Sequence, residues 1–545
     1  MTKPKDGVDL DAILLELGPF GRYQIKNYCL ILLPIIFSAV YTSQYIFAAG
    51  EIPYRCKVPE CESSPPEFDT NSWGLWALPE SGGRCERFQP IEEDCTANSF
   101  HPNETITCSS WVYENNNTIV AEFDLACEDW KRTLVGTIHN VGVFAALPIT
   151  AFISDTFGRR TAFVATAVLG GVAGVARAFS HSYALYMTLE FVEATVGSGV
   201  YSTGFILALE MVGLNHRVLG GNIISSTFAV GQVVLALIAW AVPYWRTFTI
   251  VIYAPSLLFI VYCFLIEESV RWLLSKGKKK EAARIIFKAA TINNKKLSPE
   301  SIKMLTEEDK VEEAKQEEEV IQSPPEVKKK KSLIMQVLRS KTIMTRLCIC
   351  SFWWITLTFV YYGLSINSVS LAGNSYVNYI LTSLVEIPGY ALSVVTLDRF
   401  GRKSSIMTAF FICGVALVAL PFIPSSVMWL QTMLNMVGKL CISMAFSSIY
   451  IYTSELFPTE ARHSLLGFCS MIGRIGSITA PQTPLLMAVM ESLPYLIFGI
   501  MACTSALLML LTPETLHIRL PDTVADAENI STAPRSKRTT DIIVD

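Results

Sequence analysis

Three ionisable side chains stand out inside stretches otherwise suited to lipid: Glu386 in Val385-Glu386-Ile387-Pro388-Gly389, Lys439 in Gly438-Lys439-Leu440, and Arg474 in Gly473-Arg474-Ile475-Gly476. A charge within an apolar span is costly, so each implies a buried partner or a ligand. Both signs are present, and the chemistry they could perform is the capture of a small organic ion. The plainer alternatives are a structural ion pair for Glu386, and pairing or snorkelling towards the interface for Arg474. Lys439 has the weaker claim as a ligand group, since it can pair with Glu386 or another acid. Pro388 is expected to bend its helix and free backbone polar groups beside Glu386. Trp354, Tyr361, Tyr362 and Tyr201 are the aromatic candidates, with Trp354 and Tyr361 on one helical face. Each ring around an ammonium group contributes about 0.5–2 kcal/mol of cation–π attraction. The competing reading for any one of them is packing or contact with lipid.

A second set of residues recurs. Asp155-Thr156-Phe157-Gly158-Arg159-Arg160 returns 243 residues later as Asp398-Arg399-Phe400-Gly401-Arg402-Lys403. Glu210 with Arg217 returns 245 residues later as Glu455 with Arg462. Glycine permits a tight reversal between spans. The aspartate caps or pairs near a helix end, and the arginines reach acidic partners. A single copy could merely hold a loop on one side of the membrane. The duplicated set predicts a salt-bridge latch between helix bundles, stabilising an outward-open state and released during alternating access.

These residues need spans to hold them. Apolar runs of about membrane length occur at 28–49, 133–154, 161–180, 184–208, 219–242 and 247–266, then at 344–364, 377–397, 405–424, 427–451, 464–487 and 494–512. The fold class expected is all-α integral membrane, twelve helices in two six-helix halves around a midplane site. The organisation is an N-terminus over 1–26, a first half over 27–266 containing a polar loop over 50–132, a central loop over 267–343, a second half over 344–512 and a tail over 513–545. The first run is too long for a signal-peptide core and is expected to stay as a span. Disorder is expected around Glu312–Pro325, near the Lys328–Lys331 run. Arg159, Arg160, Arg217, Arg399, Arg402, Lys403 and Arg462 fall in alternate short loops, which puts both termini and the central loop in the cytosol.

The 50–132 loop then faces outwards, and its composition agrees. Cys56, Cys61, Cys85, Cys95, Cys108 and Cys127 all lie in it, out of 14 cysteines. This clustered even set reads as three disulfides in an oxidising compartment, with the pairing open. Zinc is the weaker reading, because no C-x-x-C pair or histidine cluster accompanies them. Asn103 and Asn116 begin glycosylation sequons in the same loop. Together these features place the chain in the plasma membrane as a multi-pass glycoprotein, and the loop could support a homo-oligomer.

The duplicated turns, the halves and the large first loop resemble the major facilitator superfamily. Within it the chain is similar, over nearly its whole length, to the organic cation, anion and zwitterion transporter family, in the manner of its insect organic cation transporter-like members. The motifs are the cysteine-rich glycosylated loop, Glu268-Ser269-Val270-Arg271-Trp272-Leu273 after span six, Glu455-Leu456-Phe457-Pro458-Thr459 after span ten, Pro513-Glu514-Thr515, and Leu520 to Glu528. The resemblance assigns Glu268 and Arg271 to the latch set. Val270 stands where proline is usual, Ala151 where glycine often opens the first turn motif, and Glu190 where span four commonly has arginine. Cation-selective members carry aspartate at the position of Arg474, whereas anion and carnitine-type members carry arginine. Glu386 matches cation and carnitine-type members, and Trp354 and Tyr361 match family positions. The resemblance therefore implies polyspecific transport of organic cations or zwitterions such as carnitine-like betaines, with organic anions as the alternative.

Other classes fit less well. The chain is 51% hydrophobic and 17% charged with net charge −4, and its mean hydropathy is +0.39. That excludes a nucleic-acid partner and leaves membrane lipid and a small organic ion. No hydrolase, Walker or dinucleotide-binding signature occurs, so neither an enzyme, a cofactor, a metal site nor ATP-driven pumping is expected. A receptor built on the cysteine loop would have no use for Glu386 and Arg474.

Overall fold

The computed structural model describes residues 10–18, 20–70, 72–79, 84–92, 94–212, 217–306, 333–516, 518, 521 and 523–530. The expected disorder around Glu312–Pro325, the Lys328–Lys331 run and the last 15 residues lie outside these. Among the described residues, nine helices are long and apolar enough to cross a membrane. They are span 1 (Arg22–Ala48), span 2 (Asp129–Phe157), span 4 (Tyr183–Glu210), span 5 (Leu219–Ala241), span 6 (Trp245–Leu265), span 7 (Lys341–Ser370), span 8 (Ser375–Phe400), span 9 (Arg402–Phe422) and span 10 (Met428–Leu456). Three further helices complete twelve: span 3 (Arg159–Arg177), span 11 (Arg462–Thr479) and span 12 (Leu493–Met509). Span 3 is charged at both ends by Arg159, Arg160 and Arg177, and span 12 is simply shorter.

Exposed apolar side chains such as Leu258, Phe264, Leu507 and Leu511 turn outwards from the bundle. In a soluble protein such a belt would be a liability, whereas in lipid it is the required surface. Each half has its own core, around Ile31, Phe163 and Leu207 in the first and Trp353, Phe410 and Ile449 in the second. A third cluster joins the halves: Tyr45, Trp245 and Phe248 pack with Ile366, Tyr379 and Ala480.

This joining cluster lies at the end of the bundle that carries the cysteine loop. There β1 (Tyr54–Cys56) pairs antiparallel with β4 (Trp111–Tyr113), and β2 (Glu86–Pro90) with β3 (Phe100–Thr107). The cysteines pair as Cys56–Cys108, Cys61–Cys95 and Cys85–Cys127. A loop this polar buries little apolar area, so crosslinks substitute for a core. Asn103 and Asn116 are both exposed.

The opposite end carries a helical cap. The helix Leu10–Leu17 packs Ile13 and Leu14 onto Leu273, Ile286 and Leu305 of the helices Val270–Ser275, Lys279–Ile292 and Pro299–Thr306. Composition marks the first 26 residues as polar, yet four apolar side chains at helical spacing suffice to dock this helix. Asn293 accepts from the Tyr23 amide at 2.8 Å and donates to the Leu17 carbonyl at 3.1 Å, fixing the entry to span 1.

Candidate functional site: a buried charge network in the second half

Span 8 is broken where Pro388 requires it. Proline has no N–H for the Leu384 carbonyl, so one helix runs Ser375–Leu384 and the next Glu386–Phe400. Glu386 thus opens a helix, where the N-terminal dipole favours a carboxylate. Its side chain is fully buried, and Oε2 accepts from the Tyr361 hydroxyl at 2.6 Å and the Tyr390 hydroxyl at 3.2 Å. The Lys439 ammonium lies 3.0 Å from Oε1 and donates to the Tyr361 carbonyl at 3.0 Å and the Ser365 hydroxyl at 2.7 Å. It also stands 3.4 Å from the Tyr361 ring centroid. The pairing reading of Lys439 is therefore the geometry observed, and Glu386 already has a counter-ion.

Among the described residues, the first half hydrogen-bonds to this network through Gln232. Gln232 of span 5 donates to the Tyr361 hydroxyl at 3.3 Å and accepts from the Ser383 hydroxyl at 3.2 Å.

Arg474 differs. It is half-buried in span 11 and makes no side-chain ion pair or hydrogen bond with a described residue. Tyr450 lies within electrostatic reach of Arg474 and Tyr362, and Tyr201 within reach of Tyr450, Tyr362 and Glu386. Trp354 is on the Arg474 side: its ring meets Tyr450 at 4.4 Å, its Nε1 donates to Thr453, and Gly473 packs on its backbone. Phe446 bridges the groups, 5.9 Å from Tyr450 and 5.2 Å from Tyr361. The seven candidates from the sequence thus gather in one region, with Trp354 away from Glu386.

The duplicated turns form two near-identical arrangements. Gly158 (φ 106°) and Gly401 (φ 96°) adopt a backbone conformation that side chains rarely allow. A Cβ at either would run into Glu268 or Glu514. Glu268 accepts from the Arg160 amide at 3.0 Å, and Glu514 from the Arg402 amide at 2.9 Å. Arg159 pairs with Asp155 at 2.6 Å and Glu210 at 3.6 Å, and Arg402 with Asp398 at 3.2 Å and Glu455 at 3.6 Å. Ser269 donates to Glu210, and Thr515 to Glu455 at 2.6 Å. Among the described residues these pairings stay within each half, because the acids lie on neighbouring spans of the same unit; the expected latch between bundles belongs to an outward-open state, whereas here the halves meet at the opposite, disulfide-rich end. Arg462 donates to Thr459 at 3.2 Å. Arg271 follows Glu268 by three residues in the helix Val270–Ser275. The Arg217 side chain lies outside the described residues.

The halves instead meet towards the disulfide-rich end. Thr133 donates to Gln482 at 3.0 Å, Gln482 to Thr137 at 2.6 Å, and Phe47 stacks on Tyr376 at 5.5 Å. A cavity of about 590 Å³ lies above this contact, lined by Glu51, Arg84, Glu114, Arg132, Tyr376 and Pro481 among others.

Sequence reasoning missed Gln232, Tyr390, Ser365, Phe446, Tyr450 and Glu514. Two signals were available: Tyr390 follows Glu386 by one helical turn, and Glu514-Thr515 repeats Glu268-Ser269 at 246 residues. Gln232 has no comparable signal.

The model for the Major Facilitator Superfamily matches residues 132–481 and 361–538. A Drosophila melanogaster organic cation transporter protein is 36% identical over 97% of this chain and 96% of its own length. A Drosophila melanogaster organic cation transporter-like protein is 33% identical over 95% and 92%. Solute carrier family 22 member 3 of Mus musculus is 29% identical over 96% of each. Among solved structures, the xylose transporter XylE of E. coli in a partially occluded inward-open conformation has a TM-score of 0.57 at 14% identity, covering 90% of this chain and 99% of that one. That likeness concerns the fold alone. With the superfamily match, and relatives aligned along nearly the whole chain, the protein belongs to the major facilitator superfamily and, within it, to the organic cation transporter and solute carrier 22 family: it is a multi-pass membrane transporter and not an enzyme.

Proposed function

We propose that the protein moves small organic ions carrying a carboxylate, foremost carnitine-like zwitterions, across the plasma membrane by alternating access. The disulfide-rich end faces outwards, while both termini and the helical cap are cytosolic. The observation that carries the substrate reading is the contrast between the two charges. Glu386 is neutralised by Lys439 at 3.0 Å, whereas Arg474 has no counter-ion among the described residues. A substrate carboxylate would supply one. A substrate ammonium would then lie against Tyr201, Tyr362 and Tyr450 and compete with Lys439 for Glu386. The names of the relatives, organic cation transporters, support a cationic group on the substrate. The same Lys439 pairing supports a second reading, a pure organic anion, because no uncompensated negative charge then repels it.

The duplicated turns act in this reading as braces that keep each half rigid while the halves rock. Asn103 and Asn116 carry glycans, and self-association through the outer loop remains part of the proposal.

Uptake of radiolabelled carnitine, tetraethylammonium and para-aminohippurate in cells tests it, with wild type and Arg474→Asp. Carnitine uptake lost on substitution, with tetraethylammonium gained, is the expected result. Para-aminohippurate in place of carnitine selects the anion reading. Wild-type tetraethylammonium uptake unchanged by Arg474→Asp would refute both.

A further inference from the structure

The first half holds a second buried charge cluster that the Glu386 network does not touch. Arg177 ends span 3, Glu190 and Glu193 lie in span 4, and His139 lies in span 2, each no more than 1% exposed. Arg177 pairs with one oxygen of Glu190, and His139 Nδ1 lies 2.8 Å from the other. Gln44 of span 1 donates to the same carboxylate at 2.9 and 3.1 Å. Glu193 Oε2 is left 3.8 Å from His139 Nδ1 and 3.9 Å from Arg177. Among the described residues, neither Glu193 Oε2 nor His139 Nε2 has a hydrogen-bond partner.

The charges do not balance without a proton. Two carboxylates face one guanidinium, and beside the His139 imidazole the remaining neighbours are an amide and tyrosines. Tyr186 and Tyr253 lie against Arg177 at 5.5 and 5.1 Å, Tyr41 stacks on Tyr253 at 4.4 Å, and Tyr45 lies 5.6 Å from the His139 ring. An unbalanced charge at this depth is strongly unfavourable. One further positive charge, in contact with the His139 imidazole, balances the cluster. Three ligand atoms of His139, Glu190 and Glu193 lie within 4.8 Å of one another. A divalent ion there would overcompensate the charge and compete with Arg177 for Glu190.

The cluster is wired to the contact between the halves. A Cβ on Gly136, one turn before His139 in span 2, would meet both Tyr45 and Pro481 of the second half. Thr133 and Thr137 of that stretch bond to Gln482 and to the Ile478 carbonyl. Tyr45 thus stands between His139 and the second half, packing on the His139 ring on one side and clustering with Ile366, Tyr379 and Ala480 on the other.

We propose that His139 and Glu193 share a proton-binding site, counterbalanced by Arg177 and Glu190, whose occupancy is coupled to closure of the disulfide-rich face. The proton comes from water on that face while the halves are apart and resides on His139 or Glu193 once they close. With the site empty, the uncompensated charge disfavours closure. The coupling to transport rests on the transporter reading, whereas proton binding does not.

The test uses the purified full-length chain in detergent without substrate. Infrared difference spectra are recorded as pH rises above the ordinary carboxylate range, and hydrogen exchange of residues 129–141 is followed over the same range, corrected for intrinsic rates. In wild type, loss of a protonated carboxyl or imidazolium band is expected together with a fall in protection of that segment. Glu193→Gln should abolish both changes, and His139→Gln should abolish or displace the band. A wild type with no such band overturns the proposal, as does a band unaltered in both variants. A protection change that persists in Glu193→Gln overturns the coupling. A chain that moved none of the organic ions named above would sink the transport reading and leave the infrared result standing.

Discussion

The Lys439 ammonium and the Glu386 carboxylate, on spans 10 and 8, lie 3.0 Å apart with both side chains fully buried. Removing one partner strands the other charge. Lys439→Met is expected to lower stability by about 3–5 kcal/mol, read as a fall in Tm of the purified protein. The double variant Lys439→Met/Glu386→Gln should recover most of the loss. A double variant as unstable as the single one would mean that Lys439 acts through packing.

Gly158 and Gly401 make a matched pair of backbone requirements. Alanine at either meets an unfavourable φ and a glutamate in the space its Cβ needs, so each substitution should cost about 1–3 kcal/mol. Gly277 is a control in the cap: its φ is +71° but nothing lies within 4 Å of the new Cβ. Gly277→Ala should cost less, roughly 1–2 kcal/mol from the backbone alone. Equal shifts of Tm at all three positions would remove the steric part of the argument.

Docking of the helix Leu10–Leu17 should depend on acid. The Ser298 amide, with the Ser298 and Ser301 hydroxyls, donates to Glu16 and holds its carboxyl below the usual range. A depressed folded value stabilises above the unfolded pKa, and the contribution is lost as pH falls through the folded value. Hydrogen exchange of this helix, corrected for intrinsic rates, should therefore lose protection as pH drops below about 4. Glu16→Gln should already exchange fast at neutral pH and show no such acid step.

The outer loop should depend on its crosslinks. Cys56–Cys108 spans 52 residues, and the chain-entropy model gives about 4 kcal/mol for a loop of that length. Cys56→Ser/Cys108→Ser should speed proteolysis between β1 and β4 while the spans keep their helicity by circular dichroism. Loss of helicity throughout would show that the loop is needed for the bundle to form.

The fold was legible because lipid imposes a simple rule. Backbone groups must be satisfied within each span, so span length and loop charge follow from local composition, and a duplicated turn marks the two halves. Pro388 likewise identified the break in span 8. The partners of the duplicated turns were not legible: Asp155, Arg159 and Glu210 are equally compatible with partners in their own half or the other one. The Arg177, Glu190, Glu193 and His139 cluster escaped because its members are spread over spans 2, 3 and 4, and no local spacing joins them.

The amino-acid sequence by itself determined the membrane class, the twelve spans, the crosslinked loop and the presence of both charge signs in the second half. Each follows from interactions between near neighbours or from solvation of a single segment. Only the tertiary structure decided that Lys439 neutralises Glu386, that Arg474 has no ion-pair partner among the described residues, that Gln232 ties the halves together, and which cysteines join. Those outcomes depend on which faces of distant helices meet, and charge and hydrogen bonding act over a few ångströms of space whatever the separation along the chain.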